Sequence, residues 1–391
     1  MDFRLTPEEE RFREEVHQFL SEQKVEEVIK GLELANSPEE IGEEARQFIN
    51  RFSQKGWFSL PWPKEYGGKG GSFLQCFILH DELGYFGLGS TDIALFNMLF
   101  SLLILRNGSE ELKREFLPRM AKGEIEAVIG WTEPDAGSDL ASITTRAEDK
   151  GDYYLVNGQK IFTTSGNHAT HQYILARTDP NLPKHKGLSV LIIDLKSPGV
   201  IVRPVWCMGK EKLAETFFDD VKVPRKYLLG KENDGWRITI EELDLERMKE
   251  VGLIRRLLDE LVEYVKRTRR DGKLLASDPL VRQALAQLAI EVEVGEFLFL
   301  RIAWMLDRGE WTSVEIAMEK AFVCELEQQA ANIGMQILGL PGLLEEGSKG
   351  AELGGLITKC YLRSVGRTIY MGTSEIQRNI VAIRGLGLPR G

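Results

Sequence analysis

From Thr6 to about Gly123 apolar residues recur every three or four positions with charged residues between them, which predicts a run of amphipathic helices. "TPEEE" supplies an N-cap Thr6, Pro7 at the first helical position and Glu9 to close a capping box. Ser37 in "SPEE" and Ser109 in "GSEELK" are expected to restart helices in the same way. The most apolar stretch, "DIALFNMLFSLLIL" at 92–105, is too short to span a bilayer and reads as a buried helix. Over 125–235 the period drops to two. "YYLVNGQKIFTTSG" carries Asn157-Gly158, a hairpin-turn signal between apolar-rich runs. "HQYILARTD", "GLSVLIIDL", "VIVRPVW" and "TFFDDVKVP" follow as strands broken by Gly, Pro and Asp. Helical periodicity returns at Trp236, with long segments at 238–267, 279–306 and 314–338 that suit a four-helix bundle. The fold class is thus α+β: an N-terminal helical domain (1–124), a middle antiparallel β barrel or sandwich (125–235) and a C-terminal helical bundle (236–391).

Composition narrows the function. With 50 basic against 60 acidic residues the net charge is -10, which argues against a general nucleic-acid binder. Cys76, Cys207, Cys324 and Cys360 are far apart and form no CxxC pair, so they read as scattered thiols of a reducing compartment. "MDFRLTPEEERFREEV" is acidic and amphipathic, unlike a signal or transit peptide. A cytoplasmic location without a membrane span is the expectation.

Three stretches carry candidate chemistry. "GWTEPDAGSDLA" leaves a strand into a loop where backbone N–H groups and the Thr132 and Ser138 hydroxyls could meet a phosphate or heterocycle, although a plain turn reads the same way. "NGQKIFTTSGNHA" places Phe162 beside Thr163 and Thr164, which suits a flat cofactor stacked on the ring and hydrogen-bonded at its edge; barrel core is the alternative. In "IYMGTSEIQRNI", Gly372 and Thr373 hand over to a helix whose first N–H groups favour an anion. "WPKEYGGKGG" lacks the strand and the Lys-Ser ending of a phosphate loop. "HATH", with His168 and His171, has no carboxylate nearby in sequence, so no metal site is assigned.

Together "WPKEYGG", "LPRM..GEIEAVIGWTEPDAGSDL", "NGQKIFTTSG", "LDLER" and "IYMGTSEIQR" resemble the acyl-CoA dehydrogenase family over essentially the whole chain. The resemblance implies FAD between the middle and C-terminal domains, an acyl-CoA substrate, and electron-transfer flavoprotein as acceptor. It also implies a homotetramer or an α2β2 assembly. Thr132 and Ser138 would lie along the flavin, with Ser138 also touching the CoA chain. Phe162 would replace the family's usual tryptophan, and Thr164 would sit near the reactive flavin nitrogen. Thr373 and Glu375 would meet the nucleotide end. Gln336 and Gly339 would approach the adenine from a neighbouring subunit. Thr268 and Asp271 stand where much of the family has Arg and Phe, and Arg269 or Arg270 is the candidate substitute. The acyl pocket would be lined near Leu95, Met98 and Leu99.

Dehydrogenation next to a thioester needs a carboxylate for the α-proton. In many members it directly precedes the Gly of the "GTS" turn, where this chain has Met371, and a thioether cannot take a proton. In a minority it lies just before the arginine of the "LDLER" helix. That residue here is Glu246, the main candidate base, with Asp244 and Arg247 directed at the CoA arm by the same pattern. Asp92 is the rival, as a base for a cyclic acyl group, a receptor for a polar acyl end, or simply a helix cap. A non-catalytic or heteromer-dependent subunit and a flavin monooxygenase or oxidase are the competing functions. The acyl group stays open among aliphatic, branched, dicarboxylic and alicyclic chains.

Overall fold

The computed structural model describes residues 3–90, 101–311 and 313–390. Helix α1 (Pro7–Ser21) begins on the expected box: the Glu9 N–H donates to Thr6 Oγ1 at 3.3 Å, and the Thr6 N–H donates to the Glu9 carboxylate at 2.6 Å. Its buried stripe, Val16 and Leu20, packs with Phe48 and Phe52 of α3 (Glu43–Gln54) and with Trp57. Between them lies α2 (Val25–Glu33). "SPEE" departs from expectation: it makes one 3-10 turn, Pro38–Glu40, and the next helix waits until Glu43. Ser37 makes no capping hydrogen bond, and the Glu40 carboxylate turns back to accept the Asn36 N–H at 3.0 Å. Further on, Ser72 caps α4 (Phe73–Tyr85), α5 covers Ser101–Asn107, and Ser109 caps α6 (Glu110–Ala121) as the sequence predicts.

Eight strands form one sheet: β1 (Ala127–Gly130), β2 (Arg146–Asp149), β3 (Tyr153–Thr164), β4 (His171–Arg177), β5 (Leu188–Asp194), β6 (Val200–Trp206), β7 (Lys212–Pro224) and β8 (Leu228–Leu229). Their order is β6-β7-β3-β2-β4-β5-β8, with β1 joined to β4; β1 and β2 meet β4 in parallel and the other pairs are antiparallel. Asn157-Gly158 is not a hairpin turn. β3 runs straight through it, paired with β7, and the register slips there as a bulge. Neighbours on both sides hold the pair: the Asn157 amide donates to Asp220 Oδ1 and accepts the Asp220 N–H, both at 3.0 Å. A Cβ on Gly158 would lie 2.4 Å from Thr145 Oγ1, so only glycine lets β2 approach.

The predicted segment 238–267 is two helices, α7 (Gly235–Glu246) and α8 (Gly252–Arg267). Side-chain carboxylates break the helix by taking its N–H groups: Glu319 accepts from Lys249 at 3.1 Å and Asp81 from Val251 at 3.1 Å. A Cβ on Gly252 would fall 1.9 Å from the Asp81 carbonyl oxygen, so α4 crosses the break in direct backbone contact. α8 then packs with α9 (Pro279–Asp307), α10 (Ser313–Leu338) and α11 (Leu356–Arg367) around Leu257, Leu288, Val323, Ala330 and Ile357. A two-residue hairpin, β9 (Arg269–Arg270) and β10 (Lys273–Leu274), follows α8, and the short α12 (Ser374–Ile380) closes the chain. Among the described residues no helix is long and apolar enough to cross a membrane.

Candidate active site

The loop after β1 is locked from beneath. Lys160 of β3, fully buried, donates to Glu133 Oε1 at 2.8 Å and to the Trp131 carbonyl at 3.1 Å. The same carboxylate accepts the N–H groups of Thr144 at 2.6 Å and Thr145 at 3.0 Å. Burial pushes the Glu133 carboxyl up, but the Lys160 ammonium and these donors outweigh it and hold it down to about 2. The Ile161 N–H reaches the Thr132 carbonyl at 2.9 Å, which ties the loop to the end of β3.

That tie leaves a strained aromatic at the rim. Phe162 has φ +61°, in the left-handed region, and its ring stays 53% exposed. The neighbouring hydroxyls divide into two sets. Thr163 is buried and accepts from Gln172 Nε2 at 3.0 Å, so its side chain belongs to the sheet. Among the described residues the hydroxyls of Thr132, Ser138 and Thr164 bond to no protein group, and all three are at least partly exposed. An exposed ring flanked by free hydroxyls fits a flat heterocycle with polar edges, which is the observation that FAD requires of this chain.

The opposite wall is the turn before α12. Met371 (φ +55°) and Gly372 (φ +80°) are both left-handed. Their carbonyls are pinned from inside: Met371 accepts from Arg247 Nε at 3.2 Å, and Gly372 accepts from Lys320 Nζ at 2.8 Å. Gln377 Nε2 donates to both, at 3.2 and 3.0 Å. With the carbonyls turned inward, the N–H groups of Met371, Gly372 and Thr373 have no acceptor among the described residues. Such a row of free donors can hold a carbonyl oxygen. The Thr373 hydroxyl caps α12 by accepting the Ile376 N–H at 3.2 Å, while Glu375 is exposed.

The two walls meet through α7. Trp131 Nε1 donates to Glu242 Oε2 at 2.7 Å, and Arg247 at the helix end reaches the Met371 carbonyl. Glu246, the last residue of α7, is half-buried between these anchors. Asp244 and Arg247, expected to be directed at a CoA arm, lie in the same wall. Both are buried, joined at 3.0 Å, with Trp311 Nε1 donating to the second Asp244 oxygen at 3.3 Å. A charge at that depth must be paired, so the pair builds the wall.

Glu242 was not singled out by the sequence. It lies one turn before Glu246 on the same helix face. Burial, then the Glu246 charge, pushes its carboxyl well above the ordinary value, and its Oε1 has no hydrogen-bond partner. The i, i+4 spacing of the two glutamates was the available signal.

Arg270 is elsewhere. Its Nη2 donates to the Ile337 carbonyl at 2.6 Å, beside Gly339 and the exposed Gln336. Lys320 and Ile337 are on the same helix, so this cluster is about 25 Å along α10 from the Gly372 turn. Asp271 forms the tip of the β9–β10 hairpin with φ +52°, and Thr268 ends α8. Asp92 and the pocket positions Leu95, Met98 and Leu99 lie outside the described residues. His168 Nδ1 meets Glu126 at 3.2 Å, brought in from 42 positions away, yet among the described residues no three His, Cys, Asp or Glu side chains could hold a metal.

Comparison with known proteins agrees with this geometry. The acyl-CoA dehydrogenase N-terminal domain matches residues 6–124, the middle domain 128–221 and the C-terminal domain 233–386. Acyl-CoA dehydrogenase FadE26 of Mycobacterium tuberculosis (strain ATCC 25618 / H37Rv) is 32% identical, covering 98% of each chain. Among solved structures, the Tcur3481-Tcur3483 steroid ACAD has a TM-score of 0.91 at 31% identity, with both chains covered fully. The ChsE4-ChsE5 complex from Mycobacterium tuberculosis has a TM-score of 0.90 at 32% identity, again over 100% of both chains. This chain belongs to the acyl-CoA dehydrogenase family. It is a flavoprotein oxidoreductase of acyl-CoA thioesters.

Proposed function

We propose that this chain dehydrogenates an acyl-CoA between its α and β carbons with Glu246 as the base. The observation that carries this reading is the half-buried Glu246 carboxylate held at the end of α7, whose next residue clamps the turn at Met371. The thioester oxygen takes the free N–H groups of that turn, which acidifies the α-carbon, and Glu246 receives the proton. FAD supplies the hydride acceptor when bound. Phe162 offers a stacking face, and Thr132, Ser138 and Thr164 offer hydroxyls to its edge. Arg270, Gln336 and Gly339 serve the adenine end. Electrons leave to an electron-transfer flavoprotein, and the active assembly is a cytoplasmic tetramer.

Glu246→Gln keeps the shape and removes the base. It should lower the rate of flavin bleaching by acyl-CoA about 10²–10⁴-fold, the usual contribution of a positioned base, while bound flavin is retained. Bleaching at the native rate would pass the role to another carboxylate, Asp92 first. A second reading, a subunit active only in a heteromer, draws support from the two-protein names of both solved relatives. Bleaching by the purified chain alone rules it out.

A further inference from the structure

The break between α7 and α8 buries a lysine that the reaction above does not use. Lys249 is only 7% exposed. Its backbone N–H is taken by Glu319, and its ammonium stands 5.8 Å from the centre of the Tyr370 ring. Among the described residues that ammonium has no hydrogen bond and no ion pair.

Its neighbours have made other arrangements. Arg367 is paired with Glu327 at 2.9 Å, and Arg247 with Asp244 at 3.0 Å. Glu250 lies in a notch cut by Gly84 and Gly89, where an added Cβ would fall 2.5 and 2.7 Å from its side chain, and it faces His80 at 3.4 Å. Burial lifts the Glu319 carboxyl well above its ordinary value, which weakens it as a counter-charge for Lys249. The three N–H donors of this largely buried side chain thus have no protein acceptor among the described residues.

The place of this deficit gives it meaning. Lys249 follows Glu246 by three residues, and Tyr370 immediately precedes Met371. Both walls of the thioester site thus lead to this ammonium. We infer that Lys249 is a specificity-determining residue that takes an acceptor oxygen carried by the acyl chain beyond its reacting carbons. The substrate class is an oxygenated acyl-CoA, bearing a carboxylate, ketone or hydroxyl, in preference to a plain hydrocarbon chain. The Tyr370 face fixes the ammonium laterally, and the substrate oxygen completes its coordination.

This inference rests on the thioester lying between Glu246 and the Met371 turn, and its test is kept separate from catalysis. In FAD-loaded Glu246→Gln protein, binding of acyl-CoA thioesters of equal length is measured by calorimetry. The series carries a terminal carboxylate, a ketone, or neither. One or both oxygenated thioesters should bind about tenfold or more tightly than the plain one, the scale of a charged hydrogen bond. The carboxylate and ketone arms tell which oxygen is preferred. Lys249→Met should erase the preference and Lys249→Arg should retain part of it. Equal or tighter binding of the plain thioester overturns the inference, as does a preference that survives in Lys249→Met. A change in the flavin spectrum of Lys249→Met without a change in preference would place the ammonium on the cofactor and overturn it too. Near-native turnover in Glu246→Gln would count against the base and leave the binding ratio readable.

Discussion

At the scale of single residues, the α7 carboxyls divide by environment. Asp244 has Arg247 and Trp311 as partners, whereas Glu242 has one donor, Trp131, and an unpartnered oxygen. Burial and the nearby Glu246 charge raise the Glu242 carboxyl well above its ordinary 4.5, so the native state holds a proton that the unfolded chain releases. The sign follows: above pH 4.5 the unfolded state gains stability by ionising and the native state does not, until pH reaches the raised native value. Glu242→Gln keeps an acceptor for Trp131 but cannot ionise. Relative to the native sequence it should therefore gain stability as pH rises from 5 to 7, with a limiting slope of about 1.4 kcal/mol per pH unit. Urea denaturation at the two pH values reads this difference; a gap that stays constant would show that Glu242 ionises normally.

At the scale of elements, two devices hold the site's backbone. The Lys160–Glu133 pair straps the loop after β1 to β3, and Lys160→Met would strand a buried carboxylate at a cost of about 3–5 kcal/mol. Because the Glu133 carboxyl sits near 2 rather than 4.5, its stabilisation is complete above pH 4.5 and is lost as pH falls from 4.5 toward 2. Acid denaturation of native and Lys160→Met protein should converge over that window. The second device is the Met371–Gly372 turn. A Cβ at Gly372 would lie 2.5 Å from Gln377 Nε2, in a conformation with φ +80°. Gly372→Ala should displace Gln377 from both carbonyls and raise the KM for acyl-CoA more than it changes flavin retention. The sequence carried much of this: the capping signals at Thr6 and Ser109, the switch of period at 125 and 236, and the Gly-Thr-Ser turn all correspond to real features. What it concealed was tertiary. Asn157-Gly158 became a bulge because β2 and β7 flank it, and the break after Glu246 depends on Glu319 and Asp81, which are 70 and 170 residues away from the N–H groups they accept. Lys160, Lys249 and Lys320 look like ordinary surface charges in a linear reading; only the packed structure shows them buried.

At the scale of the whole molecule, the candidate cofactor residues fall into two groups well separated along α10. Lys320 meets the Gly372 turn two turns into the helix, and Arg270 meets the Ile337 carbonyl at its C-terminal end, about 25 Å away along the axis. One protomer has no reason to present both groups to the same ligand at that spacing, whereas two protomers placed side by side can. Each site would then take Glu246 from one copy and Arg270 from its neighbour. The consequence can be measured by mixing. Glu246→Gln alone should be inactive for want of a base, and Arg270→Ala alone should lose flavin on dilution. A hybrid of the two contains sites in which both defects coincide and sites in which neither occurs. Co-expressed and purified through two tags, the hybrid should recover bleaching activity that neither parent shows, up to about half of the native level from the count of intact sites. If Arg270 served its own protomer, each hybrid site would keep one defect and no recovery would appear. Should the hybrid fail to form because the chain is monomeric in isolation, the neighbour that completes the site must be a different chain, and native activity would then require that partner.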